Sequence, residues 1–502
     1  MNNKFDELTR DLAQSVTRRR APKKFGVGLT GAVLLVLALV QSSRPAQATD
    51  FKLGALSDLS DPDVFVGCGS DGSQKECSIA VNPTNPKNIV AVWIGGVFQG
   101  IGSAVSFDGG KRWQQMVIPG LSICNGATTG FEINYDPWVS FAPNGDLYFV
   151  CGGVSLDSAT KGRAALLASK STDGGLRWSV PIPIAVTSDL RHDAPDKPSI
   201  TADRTDARFA YTVWNNNANG NRGVAIFSRT TNGGRTWEPV RTIYDPGLAD
   251  SATLGHIINV LPNGTLVDVF TEFKFSDEGT HKGALVSVIH SMDKGQSWSL
   301  PVRAAAIPVF SVIDPETGVP IANSSSCCPN PAVAMDANNG NLYAVWEDNG
   351  FSNGEYSSIA LAMSTDGGFS WSAPIQVNKT PTNTAPGNRQ AFIPAVAVAA
   401  DGTIGVSYYD FRFNDANPGL STDYWLVHCH PSITTPATNP ASWSSEIRLT
   451  GQSFDIEKVA PGDAYFLGDY QGLTAVGTDF LAAWSQPHDN DLDSVFFRRV
   501  GP

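Results

Sequence analysis

The stretch STDGGLRW (171–178) recurs with small changes as SFDGGKRW (106–113), TTNGGRTW (230–237), SMDKGQSW (291–298) and STDGGFSW (364–371). A single-substrate enzyme needs its catalytic groups once, whereas a repeated architecture needs its corners many times, so the five copies point to structure. Within the phrase, Asp or Asn at the third position can accept hydrogen bonds from the turn's own amides. Gly supplies positive φ, and Trp offers a ring to bury between sheets. Asp108, Asp173, Asn232, Asp293 and Asp366 are therefore assigned to turn locks.

Upstream of each phrase lies a looser unit: a short apolar strand, a turn, then a second strand that often ends in Trp. The seven units are SIAVNPTNPKNIVAVW (78–93), WVSFAPNGDLYFV (138–150), PSITADRTDARFAYTVW (198–214), INVLPNGTLVDVF (258–270), PAVAMDANNGNLYAVW (331–346), PAVAVAADGTIGVSYY (394–409) and GLTAVGTDFLAAW (472–484). A repeat of 60 residues or more suits one four-stranded antiparallel sheet, and such sheets set around an axis make a β-propeller. The expected fold is all-β, a single propeller of four-stranded antiparallel blades over 76–502. Seven blades are expected, with six as the alternative if the last unit completes the first. The sixth unit keeps only a remnant of the phrase, NPASWSS (439–445), and the seventh has none. Ring closure then needs a strand from elsewhere, and DVFVG (63–67) in the N-terminal segment 49–75 is the sequence's candidate.

Composition agrees with this class. The 502 residues include 48 Gly and 32 Pro, with only 17% charged, a balance that suits a large turn-rich β protein. Residues 1–48 stand apart: TRRRAPKK (17–24) precedes the apolar run FGVGLTGAVLLVLALV (25–40), and Ala46-Gln47-Ala48 follows as a small-residue cleavage site. This reads as a secretory signal of Sec or Tat-like type, with an uncleaved anchor as the alternative. The expected location is outside the cytoplasm, in the periplasm, at the cell surface or in the medium, with no membrane attachment once the signal is removed. Removing eight basic and three acidic residues takes the net charge from −12 to −17, which excludes nucleic acid as an expected partner.

All seven cysteines follow the signal, so an exported chain could pair them. Cys68–Cys77 and Cys124–Cys151 are the favoured pairs, with Cys327 and Cys328 as a vicinal pair or split to reach Cys429; sequence leaves other pairings open. Carboxylates alternate in HDNDLDS (488–494) as in a calcium loop, but the Gly and distal Glu of an EF-hand are missing. A solvated loop is the better reading, and no cofactor or metal is expected.

The phrase S-x-D-x-G-x-x-W resembles the Asp box, or BNR repeat, of the sialidase superfamily, and the likeness covers residues 76–500. The resemblance implies a propeller with its site at the axis, on the face opposite the boxes. It also implies sialidase chemistry: three arginines gripping a carboxylate, a tyrosine nucleophile activated by a glutamate, and an aspartic acid protonating the leaving oxygen. The family's N-terminal Phe/Tyr-Arg-Ile-Pro motif is replaced here by GSDGSQKECSIAV (69–81), with no arginine. Loops at the starts of inner strands and the ends of second strands supply the candidates. Asp136, Tyr135, Glu272, Glu347, Asp410 and Tyr470 are the catalytic ones, and Arg191, Arg389, Arg412 and His256 those for substrate. Two functions follow: a sialidase-like propeller that binds or hydrolyses glycans at the axial pocket, or a non-catalytic module that binds a glycan or protein or serves assembly. Oligomeric state is left open.

Overall fold

A computed structural model describes residues 51–60, 74–95, 99–126, 130–155, 162–188, 194–217, 223–247, 251–275, 281–308, 312–321, 330–443, 445–459, 465–488 and 491–502. The signal segment, DVFVG, Cys68, Cys327, Cys328 and Arg191 lie outside these residues.

Seven antiparallel sheets follow one another along the chain, and in blades 1 to 6 the strands run in sequence order from inside to outside. Blade 1 shows the pattern: inner strand Lys75–Val81, second strand Ile89–Gly95, third strand Gly100–Ser106 and outer strand Gln114–Val117. The inner strands of blades 2 to 7 are Ile133–Phe141, Ala194–Ala202, Ser251–Val260, Ala332–Met335, Ala391–Val398 and Gly472–Val476. Seven blades, as expected from the sequence, thus form a β-propeller. Blade 7 has only three strands of its own, and its outer positions are taken by Lys52–Leu53 and Ser57–Asp58, both paired with Asp491–Gly501. The strand that joins the two ends of the chain lies ahead of the DVFVG segment. Ser60 Oγ accepts Val495 N–H at 2.8 Å and Leu59 N–H donates to Val495 O at 2.8 Å, which extends the seam.

The core lies between sheets. Val90, Val92 and Val105 of blade 1 pack on Leu147, Phe149 and Leu167 of blade 2, and Tyr211, Val213 and Phe227 of blade 3 pack on Ile258, Val260 and Leu266 of blade 4. Trp93, Trp214, Trp346 and Trp484, which lie within second strands, are fully buried. Both faces of each central strand are covered, which explains the near-continuous apolar runs.

The repeated phrase sits between third and outer strands. Ser106 Oγ donates to Asp108 Oδ1 at 3.0 Å and accepts Gly110 N–H at 2.9 Å, while Asp108 Oδ1 accepts Lys111 N–H and Arg112 N–H at 3.0 and 2.9 Å. The same bonds recur around Ser171/Asp173, Thr230/Asn232, Ser291/Asp293 and Ser364/Asp366. The turn-lock role read from the sequence is the geometry observed. In blade 6, Trp443 takes the place of the phrase's tryptophan, buried with Nε1–H donating to Ala437 O at 2.8 Å.

Each corner also docks on the blade before it, which the sequence did not disclose. The carbonyl of the fourth residue accepts a hydrogen bond from a side chain of the preceding sheet. Arg499 reaches Gly109 O at 3.4 Å, Asn88 reaches Gly174 O at 3.0 Å, Lys170 reaches Gly233 O at 2.9 Å, Arg229 reaches Lys294 O, and His290 Nε2 lies 2.9 Å from Gly367 O. The fifth residue is Gly because its backbone lies against that sheet. A Cβ on Gly295, at φ 85°, would sit 2.5 Å from the Phe227 ring.

The expected Cys68–Cys77 and Cys124–Cys151 disulfides, and the alternative that reaches Cys429, are corrected: Cys77, Cys151 and Cys429 are free, buried thiols, while the vicinal Cys327–Cys328 pair lies outside the described residues. Cys77 Sγ donates to Ala483 O at 3.0 Å across the blade 7 to blade 1 boundary, and Cys151 lies in the core between blades 1 and 2. Burial pushes the Cys77 thiol up to about 12 and Cys151 well above the ordinary thiol range. Thiolate is the reactive form, so iodoacetamide at pH 8 is expected to leave Cys77, Cys151 and Cys429 unlabelled in the native protein and to label all three in denaturant, read by peptide mass spectrometry.

Gly318 supplies an internal control for the corners, since it has φ 74° and nothing near its missing Cβ. Gly318→Ala is expected to cost about 1 kcal/mol from backbone strain. Gly295→Ala, which adds the collision with Phe227, is expected to cost about 3 kcal/mol or more. Chemical denaturation midpoints of the two variants distinguish a corner that docks from a mere turn.

Candidate functional site at the propeller axis

Inner strands carry a register shift near their axial ends: Lys75/Ser78, Tyr135/Trp138, Asp196/Ser199, Leu254/Ile257 and Phe392/Ala395. A bulge of this kind bends the strand and re-aims one side chain. The bulged residue has left-handed backbone: Glu76 (φ 57°), Asp136 (φ 50°), Lys197 (φ 49°), Gly255 (φ 68°) and Ile393 (φ 48°). Positive φ is uncommon outside Gly, Asn and Asp, and for β-branched Ile393 it is an outlier that its surroundings must hold. Neighbouring carboxylates do so: Asp136 Oδ2 accepts Lys197 N–H at 2.9 Å, and Glu347 Oε1 accepts Ile393 N–H at 2.7 Å.

The bulges at Glu76 and Asp136 bring these two acids together with Asp469, which stands just ahead of the inner strand of blade 7, with one carboxylate oxygen from each within 4.8 Å of the others. Three acids at that spacing have the geometry of a cation site. The cation here is the protein's own, because Lys197 Nζ lies 3.6 Å from Glu76 and 3.5 Å from Asp136 and is paired with Asp469. Burial opposes the lysine's charge, but Asp136, Glu76 and Asp196 outweigh it and hold the ammonium protonated well above the ordinary lysine value. Burial, with Asp136 facing it, pushes the Glu76 carboxyl well above the usual carboxylate range.

Beside this cluster lies a cavity of about 70 Å³, whose lining includes Trp138, Lys197, His256, Asn330, Glu347 and Tyr470. The Trp138 and Tyr470 rings are 5.1 Å apart. His256 is locked, with Nδ1 2.8 Å from Asp268, Nε2 2.9 Å from Thr253 Oγ1 and its ring stacked on Phe270. Burial holds the Glu347 carboxyl well above the usual range, opposed only by the Ile393 amide.

The remaining sequence candidates separate. Tyr135 OH donates to Pro195 O at 2.6 Å and Tyr470 OH to Pro137 O at 2.9 Å. Burial, first of all, lifts both phenols well above their ordinary value. Both hydroxyls serve as struts between blades. Glu272 pairs with Arg303 at 3.1 Å and accepts Ser287 Oγ–H, on the flank of blade 4 beside Tyr244. Asp410 is bonded to Arg412 and Thr380, and Arg412 also pairs with Glu446 and lies 3.7 Å from the Trp425 ring centre. Arg389 donates twice to Thr384 O. Arg389 and Arg412 thus share no partner and do not line the cavity, and among the described residues no arginine does. Asp493, in the alternating-acid stretch, is buried against Lys75 Nζ at 3.2 Å.

The sequence reading gave no role to Lys197, Asp469 or Trp138. A usable signal was present: Pro137, Pro198 and Pro394 each follow a bulge position. Proline has no N–H to leave unpaired in a bulge, and it marks the residue before it.

No family model matches the chain, and no curated protein matches it. Among solved structures the chain is similar to the Penicillium chrysogenum alpha-L-arabinanase complexed with arabinobiose, with 13% identity and a TM-score of 0.47 over 89% of this chain and 98% of that one. It is similar to a Hadza microbial sialidase at 15% identity and a TM-score of 0.42, over 82% and 76% of the two chains. The intramolecular trans-sialidase from Ruminococcus gnavus gives 13% and 0.43, over 89% and 98%. In architecture the protein is a β-propeller of seven blades, as its own strand pairing defines.

Lys197→Met would leave three buried carboxylates without their cation. Removing one partner of a buried pair costs about 3–5 kcal/mol. The variant is expected to lose that stability at pH 7.5. The loss should shrink as the pH falls and protonation relieves the repulsion among the acids. Thermal denaturation of both proteins from pH 7.5 downward checks the prediction.

Proposed function

We propose that the protein is an exported glycan-binding propeller that receives sugar at the axial cavity and does not carry out sialidase chemistry. The observation that carries this reading is the state of the axial groups. Both candidate tyrosines are engaged by backbone carbonyls, the carboxylate cluster is neutralised from within by Lys197, and no arginine among the described residues lines the cavity. A sialidase needs the first two free and the third present.

Binding is supported by what the cavity does offer. Trp138 and Tyr470 present aromatic surface beside the amide of Asn330 and the carboxyl of Glu347. Carbohydrate sites pair apolar C–H faces with rings and hydroxyls with a few convergent polar groups, and concave sites of mixed lining are where ligands bind. The cavity of about 70 Å³ admits the hydroxyl-bearing edge of one sugar ring, the rest remaining at the mouth. Export is supported by the basic, apolar and small-residue segments of residues 17–48.

The test is a fluorogenic α-linked sialoside assay run beside a glycan-binding screen. Expected are no turnover and retention on at least one glycan class, lowered about tenfold by Trp138→Ala. Turnover above blank by the purified protein would overturn the reading. Binding to proteins alone would replace the glycan by a protein partner.

A further inference from the structure

Four buried polar atoms of the axial cavity have no hydrogen-bond partner among the described residues: Glu347 Oε2, Asn330 Oδ1 and the two carboxylate oxygens of Asp469, of which only the Asp469 pair has a cation, Lys197, beside it. Glu347 is 3% exposed, and its other oxygen is pinned by Ile393 N–H at 2.7 Å, so Oε2 is held in one place. Buried polar atoms left unpaired are costly and rare, and each calls for a partner that the protein does not supply.

We propose that the axial cavity selects a neutral, hydroxyl-bearing sugar edge over a carboxylated one, with Glu347 donating a hydrogen bond from Oε2 and Asn330 accepting one at Oδ1. This rests on the glycan-binding reading and names the ligand class of that same site. A sugar hydroxyl is donor and acceptor together, so adjacent hydroxyls can satisfy both atoms.

The charges around the site set the preference. The groups that share the cavity with Glu347 are Lys197, Asp469, His256 and Tyr470. The Lys197 ammonium is shared among Glu76, Asp136 and Asp469. Both nitrogens of His256 are bonded to Asp268 and Thr253, and the Tyr470 hydroxyl is given to Pro137 O. A ligand carboxylate would therefore meet Asp469 with no free cation among the described residues. Burial keeps the Glu347 carboxyl protonated into the range where ordinary carboxylates are charged, which makes Oε2 a donor.

Glutamine imitates the protonated acid, since its amide keeps an acceptor for Ile393 N–H and a donor in place of Oε2. Calorimetric titration at pH 6 with methyl galactoside, methyl arabinoside and N-acetylneuraminic acid, on the unmodified protein, Glu347→Gln and Glu347→Ala, decides the matter. Neutral sugars are expected to bind the unmodified protein and Glu347→Gln alike, Glu347→Ala about tenfold more weakly, and the acidic sugar to give no heat. Raising the pH through the Glu347 titration is expected to weaken neutral-sugar binding by the unmodified protein and to leave Glu347→Gln flat, a difference that a merely structural role would not produce. Tighter binding of the acidic sugar, or neutral binding untouched in Glu347→Ala, would overturn the inference while leaving a glycan-binding protein. Absence of binding by every sugar would overturn both.

Discussion

The contact on which the rest of the structure depends is the seat of each corner turn on the blade before it. A propeller has no central element, so its sheets stay in register only through what passes between neighbours. The corner supplies three things at once. Its Ser or Thr hydroxyl and Asp side chain satisfy the turn's amides, its fifth residue brings backbone against the preceding sheet, and its fourth carbonyl takes a hydrogen bond from that sheet. Where Lys294 replaces the first Gly, it adds an ion pair at 2.7 Å to Asp203 of the preceding blade. The blade 7 to blade 1 boundary uses the same device, Arg499 to Gly109, so the ring closes by the contact that builds it.

Closure fixes the axis, and the axis has an electrostatic problem. Seven inner strands converge there, and three of them deliver a carboxylate to one place. Buried like charges cannot all stay ionised unless a cation joins them. Lys197 is that cation, placed by a bulge in blade 3 like those that place Glu76 and Asp136 in blades 1 and 2. The strained backbone at Lys197 and Ile393 is sustained by bonds between blades and is thus a property of the closed ring.

Much of this was legible in the chain. Repetition of STDGGLRW and of the strand pairs gave the blade count, because a corner must recur wherever a sheet recurs. The site was less legible. Tyr135 and Tyr470 read as nucleophiles because each stands beside an acid, yet their hydroxyls reach carbonyls 60 and 333 residues away. Arg389 and Arg412 passed a filter for the axial end of the strands, but distance from the axis is a second coordinate that strand position does not encode. Likewise, Cys77 and Cys151 read as disulfide partners of Cys68 and Cys124, while each is a thiol buried in an inter-blade layer.

The sequence by itself determined the class of fold, the number of sheets and the locations of their corners, since these follow from local hydrogen bonding and strand periodicity. Only the tertiary structure decided which acids meet, which cation joins them, and which polar atoms remain unpaired at the axis. Those outcomes are contacts between residues brought together by ring closure. Local pattern carries no record of a neighbour that arrives from another blade.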